Sequence, residues 1–165
     1  MPKDTKETKE SSRGPILVPV DFSPHSEAAL RHACLLADCM KLPLIILHVV
    51  HDPAEMPGYY SRMAKKKHLL RMEDVALEML HDFVAGMIKL YPELKPLKKA
   101  DIMLVVGLPV TRILQVAEKT DASMVVMGSQ GRTGLKHMLL GSKAEQVVQL
   151  CPLPVTIVKR GQNDD

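Results

Sequence analysis

The chain has 165 residues, 46% of them hydrophobic and 25% charged, a globular balance that excludes a disordered, collagen-like or disulfide-rich class. A net charge of +3 and a 3% aromatic content without tryptophan speak against nucleic acid as a partner, which calls for a concentrated basic footprint or a stacking platform. No apolar run approaches the ~20 residues of a membrane span. Cys34, Cys39 and Cys151 lack a metal-ligand spacing and read as reduced thiols of a cytoplasmic protein.

Residues 1–13 alternate Lys with Asp and Glu and hold no large apolar side chain. They are expected to form a disordered tail, and they lack the apolar core of a secretory signal. A short apolar run at 16–21 (ILVPVD) predicts the first strand. A helix is expected over 24–40, with Ala29, Ala33, Leu36, Ala37 and Met40 on one stripe. Ser23 is its expected N-cap and Pro24 its first residue. The run LIILHVV at 44–50 is too short for a helix and predicts the second strand.

Pro53, Pro57 and Gly58 mark a loop over 51–60. A long helix is expected from 61 to about 90, with Met72, Val75, Met79, Leu80, Phe83 and Met87 on its apolar side. Most of the eleven methionines are read as core filling. An adaptable partner surface on this helix is the sharper alternative. Lys65, Lys66 and Lys67, with His68 and Arg71, read as a solvated helix face. Pro92 and Pro96 end the helical pattern. Strands are then expected at 102–106, 123–127 and 155–158, and helices at 109–119 and 142–150. The seven histidines read as surface or satisfied packing residues.

The order βαβαβαβαβ implies one α/β domain over 14–160, followed by a short C-terminal tail at 161–165. It predicts an open five-stranded parallel sheet with helices on both faces; if its order is 3-2-1-4-5, the first strand lies beside the fourth. Such a sheet binds ligands beyond the carboxyl ends of its strands, where the winding reverses. The positions to inspect are therefore Asp21, Val49 to Asp52, Gly107 and Gly128.

The richest stretch there is Met127–Lys143, MGSQGRTGLKHMLLGSK. Gly128, Gly131 and Gly134 follow a buried strand, and Gly141-Ser142 opens a helix. Glycines bring backbone N–H groups close to a ligand, and a helix start adds unpaired donors. Together they suit a phosphate, with Arg132, Lys136 and Lys143 as candidate cations. A plain glycine turn is the alternative, and Ser142 with Glu145 spells a capping box that needs no ligand. Asp21 ends the first strand; its carboxylate suits ribose hydroxyls or an adenine amino group, or else caps the following helix. The chain has neither a G-x-G-x-x-G after its first strand, nor a G-x4-G-K-[ST], nor a G-x-S-x-G elbow.

Gly128-x2-Gly131-x9-Gly141-Ser142 resembles the G-x2-G-x9-G-[ST] nucleotide motif of the universal stress protein family (UspA-like, ATP-binding subgroup). ILVPVDFS, LIILHVV, VVGLPVTRIL and PVTIVK resemble that family's strands and turns in the right order, over roughly 14–160. The resemblance implies a Rossmann-like fold of the adenine nucleotide alpha hydrolase type that binds ATP, with magnesium as a candidate companion of the phosphates. By position, Asp21 would meet the ribose. Val49 would meet adenine through its backbone, with Pro19 and Val20 lining that pocket. Gly128 would approach the ribose or α-phosphate, and Gly131, Gly141 and Ser142 would hold the phosphates. Arg132 and Lys143 are weaker correspondences, and Lys143 would either strengthen phosphate binding or partly fill the site. No residue reads as a positioned general base, so a nucleotide-dependent stress-response regulator is expected rather than a dedicated catalyst, with at most slow ATP turnover. A partner-binding scaffold is the competing class. The last strand would be a sheet edge, and an exposed apolar edge invites pairing. A homodimer through Val155, Thr156, Ile157 and Val158 is the corresponding expectation.

Overall fold

The computed structural model describes residues 13–51, 62–131 and 140–161, the side chains of 62–71 excepted. The expected tail as far as residue 12, the loop beyond residue 51 and residues 162–165 lie outside them, as do Arg132, Gly134 and Lys136. The order of elements is β1 (Ile16–Pro19), α1 (Pro24–Met40), β2 (Leu44–Val50), α2 (Arg62–Leu90), β3 (Asp101–Val106), α3 (Pro109–Lys119), β4 (Met124–Gly128), α4 (Ser142–Leu150) and β5 (Val155–Val158). All pairings are parallel, and the sheet runs β3-β2-β1-β4-β5.

Strand alternation explains how one short strand serves two cores. Ile16 and Val18 of β1 pack with Ala29, Leu30 and Ala33 of α1 and Leu80, Val84 and Met87 of α2. Leu17, between them, packs with Ile113, Val116 and Ala117 of α3 and Ala144 and Val147 of α4. Successive side chains of a strand point to opposite faces, so three residues with no solvent exposure close both layers. The chain winds outward from β1 through β2 to β3, then crosses to β4 and β5 on the other side. Helices α1 and α2 therefore share one face, and α3 and α4 the other, as right-handed crossovers require.

Several boundaries differ from expectation. The first strand stops at Pro19 instead of Asp21, because Phe22 takes a left-handed φ of 64° and turns the chain toward α1. Strand β3 starts one residue early, at Asp101, and β4 is shifted by one to end on Gly128, opposite Val158. A 3-10 helix at Lys95–Lys99 buries Leu97 where the sequence suggests only a break. Pro96 suits its first turn, where the missing N–H is not needed.

The largest correction concerns α2. Met87, Leu80 and the half-buried Phe83 face the core as expected, joined by Ala76 and Val84, but Met72, Val75 and Met79 are 40%, 50% and 44% exposed. These three fall on a neighbouring stripe, spaced i, i+3, i+7, which periodicity alone does not separate from the buried one. The histidines need a correction too: Nδ1 of His25 is buried with no hydrogen-bond partner among the described residues. Cys34 is buried, and desolvation pushes its thiol up to about 11. No described helix is long and apolar enough to cross a membrane.

Candidate nucleotide site

The winding reverses between β1 and β4, and a cavity of about 600 Å³ opens there beyond the strands' carboxyl ends. That volume falls in the range of small-molecule and cofactor sites. Pro19, Val20 and Asp21 come from the end of β1, Leu47, His48 and Val49 from β2, and Met127 and Gly128 from β4. Pro109 and Ile113 come from α3, and Gly141, Ser142, Lys143 and Ala144 from the start of α4. Apolar side chains (Val20, Leu47, Val49, Ile113, Met127) thus share the lining with a polar group made of Asp21, Ser26, Gln130, Gly131, Ser142 and Lys143.

Asp21 is held by the turn into α1. Its Oδ1 accepts from the Ser23 amide at 3.1 Å and from the Ser23 hydroxyl at 2.5 Å. Ser23 is the N-cap of α1, accepting from the Ser26 amide at 3.2 Å, and Ser26 Oγ donates to the Ser23 carbonyl. Asp21 therefore braces the cap without being the cap. A left-handed φ at a bulky residue such as Phe22 costs about 1–3 kcal/mol. Here the Phe22 ring stacks on His48, with centroids 4.4 Å apart, and edge-on against Phe83 of α2 at 5.5 Å. His48 Nδ1 in turn donates to the Val20 carbonyl at 2.8 Å, tying the ends of β1 and β2. We expect Ser23→Ala to cost about 1 kcal/mol of stability, measured by denaturant titration.

The glycines split into two kinds. A Cβ on Gly128 would lie 2.8 Å from the backbone carbonyl atoms of His25. That glycine lets α1 lie close against β4. A Cβ on Gly131 would lie 2.7 Å from Asp21 Oδ2, so that glycine leaves room between the carboxylate and the loop. Gly141 donates its amide to the Ser129 carbonyl at 2.7 Å, and Ser129 donates to Val158 at 2.9 Å. These two bonds draw the start of α4 back to the end of β4.

The expected capping box does not form. Gly141, extended at φ −72° and ψ 151°, is the N-cap of α4, and no side chain caps the helix. Ser142 is then the first helical residue and Glu145 the fourth, one too far for the reciprocal bond. The first amides of α4 have no intrahelical partner and lie at the cavity wall with Ser142 and Lys143. Such a helix start favours an anion, worth about 0.3–1 kcal/mol from its dipole alone.

Nine of the ten residues singled out in the sequence line this cavity: Pro19, Val20, Asp21, Val49, Gly128, Gly131, Gly141, Ser142 and Lys143. The tenth, Arg132, lies outside the described residues. Leu47, Ile113, Met127, Ser26 and Gln130 also line it and were not anticipated. Leu47 was within reach of the alternation rule, since it shares a strand face with Val49. Ile113 was not, because only the folded α3 brings it to β1. Among the described residues, Asp21, Lys143 and His48 are the only acidic and basic residues lining the cavity, and no three His, Cys, Asp or Glu side chains cluster as a metal site.

The model of the universal stress protein family matches residues 13–159. Universal stress protein MJ0577 of Methanocaldococcus jannaschii is 29% identical over an alignment of 161 positions that covers 88% of this chain and 94% of that protein. Its solved structure superposes with a TM-score of 0.66, covering 92% and 99% of the two chains. The universal stress protein UspA of Lactobacillus plantarum, 21% identical, superposes with a TM-score of 0.71 over 90% and 99%. That of Archaeoglobus fulgidus, 22% identical with a TM-score of 0.56 over 90% and 99%, was solved in complex with dAMP.

Proposed function

This chain belongs to the universal stress protein family, and on that premise we propose that it binds ATP in the β1–β4 cavity and acts as a nucleotide-dependent stress-response regulator. The observation that carries the reading is the make-up of the cavity. Apolar side chains from β1, β2 and α3 offer a place for a base, while Gly131 and the start of α4 at Ser142 offer amides for phosphates. A solved neighbour holding dAMP supports an adenine nucleotide in this fold.

In this reading Pro19, Val20 and Val49 take the adenine and Asp21 takes the ribose. Gly128 lies near the ribose or α-phosphate. The amides of Gly131 and Ser142 take the phosphates, with Lys143 and Arg132 as their cations; Gly141, its own amide bonded to Ser129, opens the helix beside them. Magnesium accompanying the phosphates would neutralise part of their charge, and among the described lining residues Asp21 and Ser142 would offer it oxygen atoms. The cavity has one described carboxylate, Asp21, and its Oδ1 is already engaged by Ser23. A water-activating base is not evident, so the protein is read as a binder, with ATP turnover that is slow if it occurs.

Calorimetric titration with ATP and AMP tests the site. Lys143→Ala is expected to weaken ATP about tenfold and AMP less than threefold, because the ammonium serves the outer phosphates. Equal losses for both nucleotides would remove Lys143 from that role. No binding of any adenine nucleotide at millimolar concentration would end the proposal.

We also propose a homodimer through β5. Among the described residues that strand pairs only with β4, and its four residues are half-buried in the single chain. A stable monomer in sedimentation at micromolar concentration would reject it. The competing scaffold reading draws on Gly128, which α1 packing alone explains. Unchanged nucleotide affinity in a Gly131 variant would favour that reading.

A further inference from the structure

We propose that Phe83 of α2, outside the cavity, positions Asp21 through the ring of Phe22, so that the seating of α2 sets the affinity of the site. The inference deepens the nucleotide reading and rests on it for the role of Asp21.

Asp21 and Ser23 are joined across Phe22. Oδ1 of Asp21 accepts from the amide and the hydroxyl of Ser23, so the backbone angles of Phe22 decide whether the two can meet. Those angles are unfavourable for this residue. Phe22 has a φ of 64°, a left-handed conformation that glycine adopts freely and a side chain resists. A relaxed Phe22 would turn the chain differently and carry Asp21 away from Ser23. Strain of this kind persists only where the surroundings hold it.

The Phe22 ring has two aromatic neighbours that can do so. His48 lies 4.4 Å away, tilted by 30°, and its own ring is fixed by the bond from Nδ1 to the Val20 carbonyl at 2.8 Å. Phe83 meets the Phe22 ring edge-on, at 5.5 Å and 62°, a favoured arrangement for aromatic pairs. Phe83 packs against the core cluster that includes Leu80, Val84 and Met87 of its own helix. One of the two supports of the strained turn is therefore carried by α2.

Among the described residues, neither Phe22 nor Phe83 lines the cavity, whereas Val20, Asp21, His48 and Val49 do. The rings stand behind the lining and join it at two points of the chain: Phe22 follows Asp21, and His48 precedes Val49. A shift of α2 withdraws Phe83 from the Phe22 ring. The turn then relaxes, and Asp21 leaves the position proposed for the ribose. The loss falls on every ligand that carries a ribose, whatever its number of phosphates. In this it differs from the expected effect of Lys143, which separates ATP from AMP.

Two readouts on Phe83→Leu test the proposal, one of them without ligand. In the free protein, hydrogen exchange of the Ser23 amide, followed by NMR, should quicken about tenfold, because the bond to Asp21 opens more often. Calorimetric titration should show ATP and AMP both weakened about tenfold, or about 1.4 kcal/mol. Added to Phe22→Gly, the same substitution should change neither readout by more than about twofold relative to Phe22→Gly alone, since glycine holds the left-handed turn without a ring. A role of Phe83 in general stability would not vanish in that background. Unchanged Ser23 exchange in Phe83→Leu, unchanged affinity in a protein that binds ATP, or equal effects in both backgrounds would each overturn the proposal. A faster Ser23 amide in a protein that binds no adenine nucleotide would uphold the link from α2 to Asp21 and reject the nucleotide reading instead.

Discussion

Gly131→Val is expected to lower ATP affinity about 100-fold while leaving the fold near its normal stability. The first atom of any side chain at this position arrives 2.7 Å from Asp21 Oδ2, well inside van der Waals contact. The carboxylate must move, and its other oxygen is held by the amide and hydroxyl of Ser23 at 3.1 and 2.5 Å. Moving it breaks those bonds or removes Asp21 from the ribose position. The rest of the valine side chain then occupies the space that the proposed function gives to the phosphates. A 100-fold loss corresponds to about 2.7 kcal/mol, within reach of one charge-assisted hydrogen bond together with a blocked approach. Gly131 itself is exposed, so thermal denaturation should shift little. Calorimetric titration showing equal affinity in both proteins would remove Gly131 from the site.

Gly128→Ala should do the opposite: a substantial loss of stability, with nucleotide binding reduced only as a consequence. The added Cβ would sit 2.8 Å from the carbonyl carbon and oxygen of His25 and 2.9 Å from its Cβ. These are mostly backbone atoms of the first turn of α1, which cannot swing aside as a side-chain tip can. The helix is anchored behind that turn by Ala29, Leu30 and Ala33, none of which is exposed. Overpacking of this kind costs about 1–3 kcal/mol, which at the domain's size corresponds to a drop of roughly 4–10 °C in Tm. Calorimetry on the free protein is the check. A wild-type melting temperature would mean that α1 does not lie as close to β4 as described. Taken as a pair, the two variants separate the packing glycine of the motif from the binding glycine.

Much of this was legible in the residues. The strands are short runs of Ile, Leu and Val, the helices open on Pro24, Pro109 and Ser142, and the alternation of the two kinds of segment implies a parallel sheet. Those signals are local, since they depend on propensity and periodicity within about a dozen residues. The positions of Asp21, Val49 and Gly128 at the carboxyl edge follow from the same alternation, because every crossover ends at the same side of the sheet.

Where the sequence misled, the deciding contact was distant along the chain. Helical spacing picks out Met72, Val75 and Met79 as readily as Ala76, Leu80 and Val84, and only the seating of α2 on the sheet separates the two stripes. The Ser142–Glu145 pattern is a sound capping box by spacing, yet Gly141 takes the cap because its amide is drawn to the Ser129 carbonyl. That bond sets the phase of the helix start.

By itself the amino-acid sequence determined the element order, the parallel sheet and the group of residues at its carboxyl edge, because these follow from local pattern and the handedness of crossovers. Only the tertiary structure decided which face of α2 is covered, what each glycine is for, and how Asp21 is held. Those depend on contacts between segments as many as 110 residues apart, as Asp21 and Gly131 are, and no local pattern encodes that proximity.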